Sequence, residues 1–207
     1  MTGSQAFEQL VAAHCPPPGE LLLALAAELR RAPVAAEPRP APAADAGFEL
    51  DELGRSLFEV AAAGDPQATA LALARLLTER ERFLRDESSL EGLWLDRVLE
   101  RRRGHPLVLA VVGVEAARRA GAAAELCSTP AGWFAGIGGP GRLYLVDPAA
   151  DPGPAPSGAV RRHCGHEVGF AALTGILARL LMEGDEAGAR RAARLRDRLP
   201  VARHGAA

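Results

Sequence analysis

Apolar residues recur at helical spacing through most of the first 120 positions of the chain. Near the N-terminus this spacing predicts helices over residues 5–13 and 19–31, the second carrying a stripe of leucines. The following segment, residues 31–47, contains four prolines and no periodicity, which is typical of a flexible linker or a long loop. We therefore expect residues 1–47 to form two short helices and a Pro/Ala-rich linker.

From residue 48 the helical pattern resumes and predicts a helical half. A first helix ends at Gly64, a second spans residues 68 to about 85 with Leu71 and Leu84 on its inward side, and a third begins near Ser88 or Ser89 and continues to about residue 103. Residues 107–120 are apolar almost all round and end at Gly121, which predicts a buried central helix.

After the central helix the pattern changes to short apolar runs separated by Gly and Pro. Residues 122–127, 133–137 and 143–146 predict three strands of a small antiparallel sheet, with a hairpin turn at 138–141 and a loop at 147–159. Helical half, buried helix and sheet together predict an α+β domain over residues 48–160.

The remaining chain predicts a C-terminal helical hairpin. Residues 161–200 contain two helical patterns joined at MEGD, residues 182–185, and residues 201–207 form a tail. The arrangement resembles a single tetratricopeptide-like repeat, too short to stand as an array. We expect it to pack on the α+β domain.

Composition narrows the possible partners and the compartment. The formal net charge is −2, and the 24 basic residues, all arginine, show no track for phosphates, so no nucleic acid partner is expected. No apolar run reaches the roughly 18 residues of a membrane span, and the first residues do not resemble a secretory signal. Three cysteines at unrelated spacings indicate reduced thiols. A cytoplasmic protein with neither membrane partner nor cofactor is predicted.

One cluster of possible metal ligands stands out, in the segment RRHCGHE. His163, Cys164, His166 and Glu167 are chemically capable ligands, but their spacing is not that of a zinc site and no second ligand pair is in register. We expect N-terminal capping of the next helix and no metal. Cys127, at the end of the first strand, is expected to be a small buried hydrophobe.

Several short motifs, taken in order, carry a family resemblance. They are SLFEV, VLERRRGHPLVLAVVGVEAARRAG, TPAGWF, LYLVDPAADPG and a helical hairpin with GD at its turn. In order and spacing they resemble the bacterial transglutaminase-like family of invasion-regulator homologues, over residues 48–200. The resemblance implies a papain-like core, in which a cysteine at the N-terminus of the central helix faces a histidine and an aspartate on adjacent strands.

Transferred to this sequence, the three catalytic positions are mostly occupied by other residues. The cysteine position falls at Pro106 and Leu107, the histidine position at Trp133 and the aspartate position at Asp147. No cysteine lies anywhere between Gly104 and Ala120, and an indole nitrogen cannot accept a proton. The resemblance thus implies neither transglutaminase nor thiol-protease turnover by this route.

Three interpretations follow for this vestigial cleft. The first is a non-catalytic regulatory or accessory protein that binds another protein through the helical hairpin or the sheet edge. The second is a hydrolase or transferase with a rearranged cleft, in which Asp147 orients His105. The third is a small molecule bound in the cleft. Trp133 either is a core aromatic, fills the cleft or lines it, while Asp147 either caps a strand end or keeps a role in the cleft.

Overall fold

The computed structural model of the protein describes residues 3–30, 42–139, 141–150 and 159–200. The predicted linker 31–41, most of the predicted loop after residue 150 and the tail 201–207 lie outside the described residues. Eight α-helices are described: α1 Gly3–Ala12, α2 Pro18–Arg30, α3 Pro42–Ala62, α4 Pro66–Arg75, α5 Leu95–Arg101, α6 Pro106–Arg119, α7 Gly165–Met182 and α8 Glu186–Arg196. The six described strands are β1 Leu84–Arg85, β2 Arg103–Gly104, β3 Ala124–Thr129, β4 Gly132–Gly139, β5 Arg142–Val146 and β6 Arg161–His163.

The helical half differs from the prediction at several boundaries, including the start of α5, which lies at Leu95 and not near Ser88 or Ser89. Helix α3 begins at Pro42, so residues 42–47, predicted as linker, are helical; proline is tolerated in a first turn because its missing N–H has no helical partner there. The second predicted helix was too long. After α4 the chain forms a π-helix over Leu76–Arg80 and then β1, so Leu84, predicted to face inward, is 54% exposed. The prediction was also wrong for Leu71 of α4, which is 42% exposed.

Strand β1 exists because the chain reverses sharply after the π-helix. Arg82 has a left-handed backbone (φ 55°), and the N–H of Phe83 donates to Leu77 O at 2.8 Å. Leu84 and Arg85 then pair in parallel with Arg103 and Gly104, immediately before α6. Non-local pairing of this kind overrides the local helical pattern.

The buried central helix was predicted correctly. Helix α6 has eleven buried residues among its fourteen, and it packs against α3 on one side and against β3 and β4 on the other. The Cβ of Ala135 on β4 lies only 3.1 Å from the position that a Cβ on Gly113 would take. Glycine at 113 therefore lets the helix approach the sheet closely.

The four-stranded sheet is antiparallel, in the order β5-β4-β3-β6. The three predicted strands and the hairpin between β4 and β5 are present, with Gly139 paired to Arg142. Strand β6 was not predicted; it pairs with β3 and places His163 opposite Leu126. Alternate residues of each strand share the face of the sheet that packs on α6. On this face Leu126, Ala135, Ile137 and Val146 are buried.

Helices from both ends of the chain share the core with α6. The buried apolar cluster includes Phe7 of α1, Leu21 of α2, Leu173 of α7 and Ala192 of α8. Helices α7 and α8 contact each other, and α7 also contacts α2. The division of the chain at residues 47, 160 and 200 stays a prediction.

Among the helices that the structure describes, none combines the length and the hydrophobicity that crossing a bilayer requires.

Candidate functional site

The N-terminus of α6 is where the family resemblance places a nucleophilic thiol, and here it is capped by an imidazole. Gly104 precedes it because a Cβ there would approach Val98 Cγ2 to 2.5 Å. The His105 N–H donates to Gly92 O at 2.9 Å, and His105 Nδ1 accepts from the Leu107 N–H at 3.2 Å. With Pro106 in the first turn and Leu107 buried, this helix end presents no nucleophile.

The protonation of His105 follows from its surroundings. Burial lowers the pKa of the imidazole below 6.5, Glu87 opposes this effect and Arg179 adds to it. A neutral ring whose Nδ1 accepts a hydrogen bond carries its proton on Nε2. His105 is therefore a half-buried, neutral helix cap.

Asp147 is bound to an arginine instead of a histidine. It follows β5, and its Oδ1 accepts from the Ala149 N–H at 3.1 Å while its Oδ2 pairs with Nη2 of Arg85 on β1. No hydrogen bond joins it to His105, although both residues lie in the described part of the chain. The pair that a rearranged cleft would use is not formed.

Trp133, at the histidine position, lies beside a histidine from another strand. It is the second residue of β4, lies opposite Ser128 of β3 and is half-buried against the apolar core. Its ring centroid is 4.6 Å from that of His163 on β6, with the two planes inclined at 50°. This is the tilted contact that aromatic rings favour.

His163 in turn joins Ser128 and Glu167. Ser128 Oγ is 2.7 Å from His163 Nε2, and His163 Nδ1 is 3.7 Å from Glu167 Oε2. Glu167 is held by the Cys164 N–H at 3.0 Å and by an ion pair with Arg161. Sequence reasoning did not connect these residues, because Ser128 and His163 meet only through the pairing of β6 with β3.

Charge states in this cluster are set by burial and by hydrogen bonds. Burial lowers the pKa of His163, with Glu167 opposing and Arg161 reinforcing the shift. For Glu167 burial acts to raise the pKa, but the hydrogen bonds from Cys164 N–H and Arg161, the charge of Arg161 and, when its ring is protonated, the charge of His163 outweigh it, so its pKa is lowered. The cluster thus holds a neutral imidazole next to an ionised carboxylate.

The four residues weighed as metal ligands have other partners. Cys164 is the N-cap of α7 in a reciprocal capping box with Glu167, the capping role that was expected. His166 is buried, with Nε2 3.2 Å from Leu10 O. Within the described ranges no three His, Cys, Asp or Glu side chains converge on a point where an ion would bind.

Two cavities lie at the end of the sheet opposite to Trp133, near the start of β3 and the end of β4. One, of about 440 Å³, includes Arg118, Glu125, Gly138 and Arg162 in its lining. The other, of about 180 Å³, lies between α4 and the residues that follow α6. Neither is lined by His105, Trp133 or Asp147, so neither supports the prediction of a small molecule in the vestigial cleft.

A helical layer, a buried helix and a small antiparallel sheet define an α+β protein. The chain belongs to the transglutaminase-like superfamily, since the superfamily's sequence model matches residues 22–153. The match begins within α2, so it includes helices ahead of the predicted boundary at residue 48. Neither the search of curated proteins nor the search of solved structures gave a significant match.

Proposed function

We propose that this protein acts by binding, in a regulatory or accessory role, and that it is non-catalytic at the three catalytic positions of its superfamily. The N-terminus of α6 carries this proposal: it is capped by His105 and continues into Pro106 and the buried Leu107, so no thiolate is generated there. Trp133 at the histidine position supports it, because an indole accepts no proton.

A placement among the bacterial invasion-regulator homologues belongs to the same proposal. Its support is the order of the motifs and the pair of helices that follows the matched region. Free cysteines at 15, 127 and 164 fit a reducing compartment such as the cytoplasm.

Another protein is the partner that we propose, bound by the end of α7. Leu181 and Met182 are adjacent there, 57% and 77% exposed. Apolar side chains that water surrounds on a folded protein release free energy when a partner covers them. This surface, Leu181 and Met182, we call the α7 end patch.

The absence of thiol chemistry is tested with purified protein. Amine incorporation into a glutamine peptide and cleavage of peptide bonds would be measured for the native chain and for a variant with Cys15, Cys127 and Cys164 all changed to Ala. We expect no turnover above the buffer rate for either protein. Turnover that disappears in the cysteine-free variant would overturn the proposal.

The binding role is tested by crosslinking and affinity purification from the source cells, followed by titration of the purified partner. Leu181→Glu with Met182→Glu is the test variant. The matched control is Phe58→Glu with Leu71→Glu, which places the same two charges at other exposed apolar residues, on α3 and α4. We expect the α7 end variant to lower affinity at least tenfold and the control to leave it unchanged. No saturable partner, or equal loss in both variants, contradicts the proposed patch.

A further inference from the structure

We infer that Ser128 is a nucleophile activated by His163 and able to accept an acyl group from a small ester, with Glu167 as a positioning residue. These residues lie outside the three superfamily positions, so the inference goes beyond the proposed binding role. Neither proposal depends on the other.

The geometry places the hydroxyl and the imidazole on one face of the sheet. Ser128 is directly opposite both Trp133 on β4 and Arg161 on β6, and His163 lies two residues further along β6. Side chains two apart in a strand share a face, so Nε2 can reach Oγ diagonally at 2.7 Å. That separation is a short, strong O–H···N contact of the kind that a nucleophile and its base make.

Protonation and position of the imidazole suit a base. His163 is neutral, for the reasons given above, so Nε2 can accept the Ser128 proton, and Nδ1 lies 3.7 Å from Glu167 Oε2, within ion-pair distance. Glu167 is fixed by the Cys164 N–H and Arg161 and stays ionised, which stabilises the imidazolium that proton transfer creates.

Packing restrains the His163 ring, whereas the Ser128 hydroxyl lies near an exposed turn. The His163 side chain is only 7% exposed and lies against the Trp133 ring. Ser128 is half-buried and is followed by the exposed Pro130 of the β3–β4 turn. A small acyl group can approach Ser128 from this turn. Trp133, at the histidine position of the superfamily, lies opposite Ser128 on the neighbouring strand β4.

The step balances without a cofactor. Ser128 Oγ bonds to the ester carbonyl carbon as its proton moves to His163 Nε2; the carbon–oxygen bond to the alcohol then breaks, and the alcohol leaves with that proton. Water afterwards repeats the sequence on the acyl-serine, releasing the acid and restoring the hydroxyl. With a fluorophosphonate, Oγ bonds to phosphorus and fluoride leaves.

The test is labelling of the full chain with a fluorophosphonate probe, located by mass spectrometry of peptides. We expect one adduct, on Ser128, so the native protein alone can refute the inference: no adduct, or an adduct on another serine, overturns it. The labelling rate should fall at low pH as His163 becomes protonated, with a midpoint below pH 6.5.

Variants separate base catalysis from simple exposure. His163→Gln should slow labelling at least tenfold, consistent with the usual contribution of a general base, and should abolish the pH dependence. Ser88→Ala, at an exposed serine, is the matched control and should label at the native rate. A His163→Gln variant with native circular dichroism and an unchanged labelling rate would contradict the role of His163. Loss of labelling with intact partner binding would leave the proposed function standing.

Discussion

At the scale of single residues, a buried carboxylate joins two helices that are far apart in the sequence. Glu115 of α6 is 5% exposed, and its Oε1 accepts from the Gly19 N–H at 3.1 Å, in the first turn of α2. Its Oε2 pairs with Arg119 Nη1 at 2.6 Å. A carboxylate at a helix N-terminus meets unsatisfied N–H groups and the positive end of the helix dipole. Glu115 therefore holds α2 against the central helix.

Replacing Glu115 is expected to destabilise the fold. Glu115→Ala leaves the Gly19 N–H and the Arg119 guanidinium without this partner, and we expect a loss of about 2–4 kcal/mol in the free energy of unfolding. The matched control, Glu52→Ala, breaks an exposed ion pair with Arg55 and should cost under about 1 kcal/mol. Urea unfolding followed by circular dichroism measures both, and equal losses would show that Glu115 has no special role.

Cys127 illustrates how burial silences a thiol. Its side chain is fully buried on β3, and burial, with Glu125 adding and Arg162 opposing, raises its pKa from 9.0 to about 11. A pKa raised by about two units lowers the thiolate fraction at neutral pH about a hundredfold. We expect iodoacetamide to modify the exposed Cys15 at least a hundredfold faster than Cys127, as measured by peptide mass spectrometry. Comparable rates would mean that β3 opens readily.

At the scale of elements, the β4–β5 hairpin depends on one glycine. Gly138 has φ 114°, and a Cβ there would lie 2.2 Å from Arg142 O. We expect Gly138→Ala to lower the free energy of unfolding by about 2–3 kcal/mol, because backbone strain and a steric clash add together. Gly139→Ala is the control, since a Cβ at 139 meets nothing within 4 Å. Thermal unfolding midpoints of the two variants test this difference, and similar midpoints would refute the dependence of the hairpin on Gly138.

The turn ahead of α6 is organised by Asp86. Hydrogen bonds, first from the Ser89 hydroxyl and then from Ser88 and the backbone N–H groups of both serines, lower the pKa of Asp86 to about 2, although burial opposes them. Its folded pKa lies below the usual 3.8, so its stabilising effect is complete above that pH and disappears as pH falls toward 2.

Asp86→Asn should therefore be less stable than the native protein at pH 7 by under about 1 kcal/mol, because the site is largely exposed to solvent. The two proteins should become equally stable as the pH approaches 2. Thermal unfolding midpoints measured between pH 2 and 7 check this, and a difference that persists at pH 2 would assign the effect to lost geometry.

Sequence patterns predicted the elements whose signals are local. The all-apolar run and flanking glycines of α6, and the Gly-rich turns between β3, β4 and β5, sufficed to place these elements and the α+β class. Strands β1, β2 and β6 escaped prediction because two- and three-residue strands form only through partners distant in the sequence. In the candidate site, too, local motifs were predicted and contacts between distant residues were not. Trp133 and Asp147 could be located by motif, whereas their contacts with His163 and Arg85 could not.

At the scale of the whole molecule, the two ends of the described chain meet. Leu10 O of α1 contacts His166 Nε2 of α7, and Arg198, just after α8, pairs with Glu8 of α1. Together with Glu115 and Gly19, these contacts tie the N-terminal helices to the core and to the last helices. Stability should therefore be shared by all helices, and unfolding should be a single transition by both fluorescence and circular dichroism. Separate transitions would indicate independent units.

The contact between α1 and α7 affects how the core can form during synthesis on the ribosome. Helix α1 leaves the ribosome before α7, since His166 lies 156 residues after its partner Leu10. At cellular rates of translation that interval is roughly 10–30 s. During that time the leucines of α2, among them Leu21, have no α7 to pack against. We therefore expect the nascent chain to expose apolar helical surface until α7 has been synthesised.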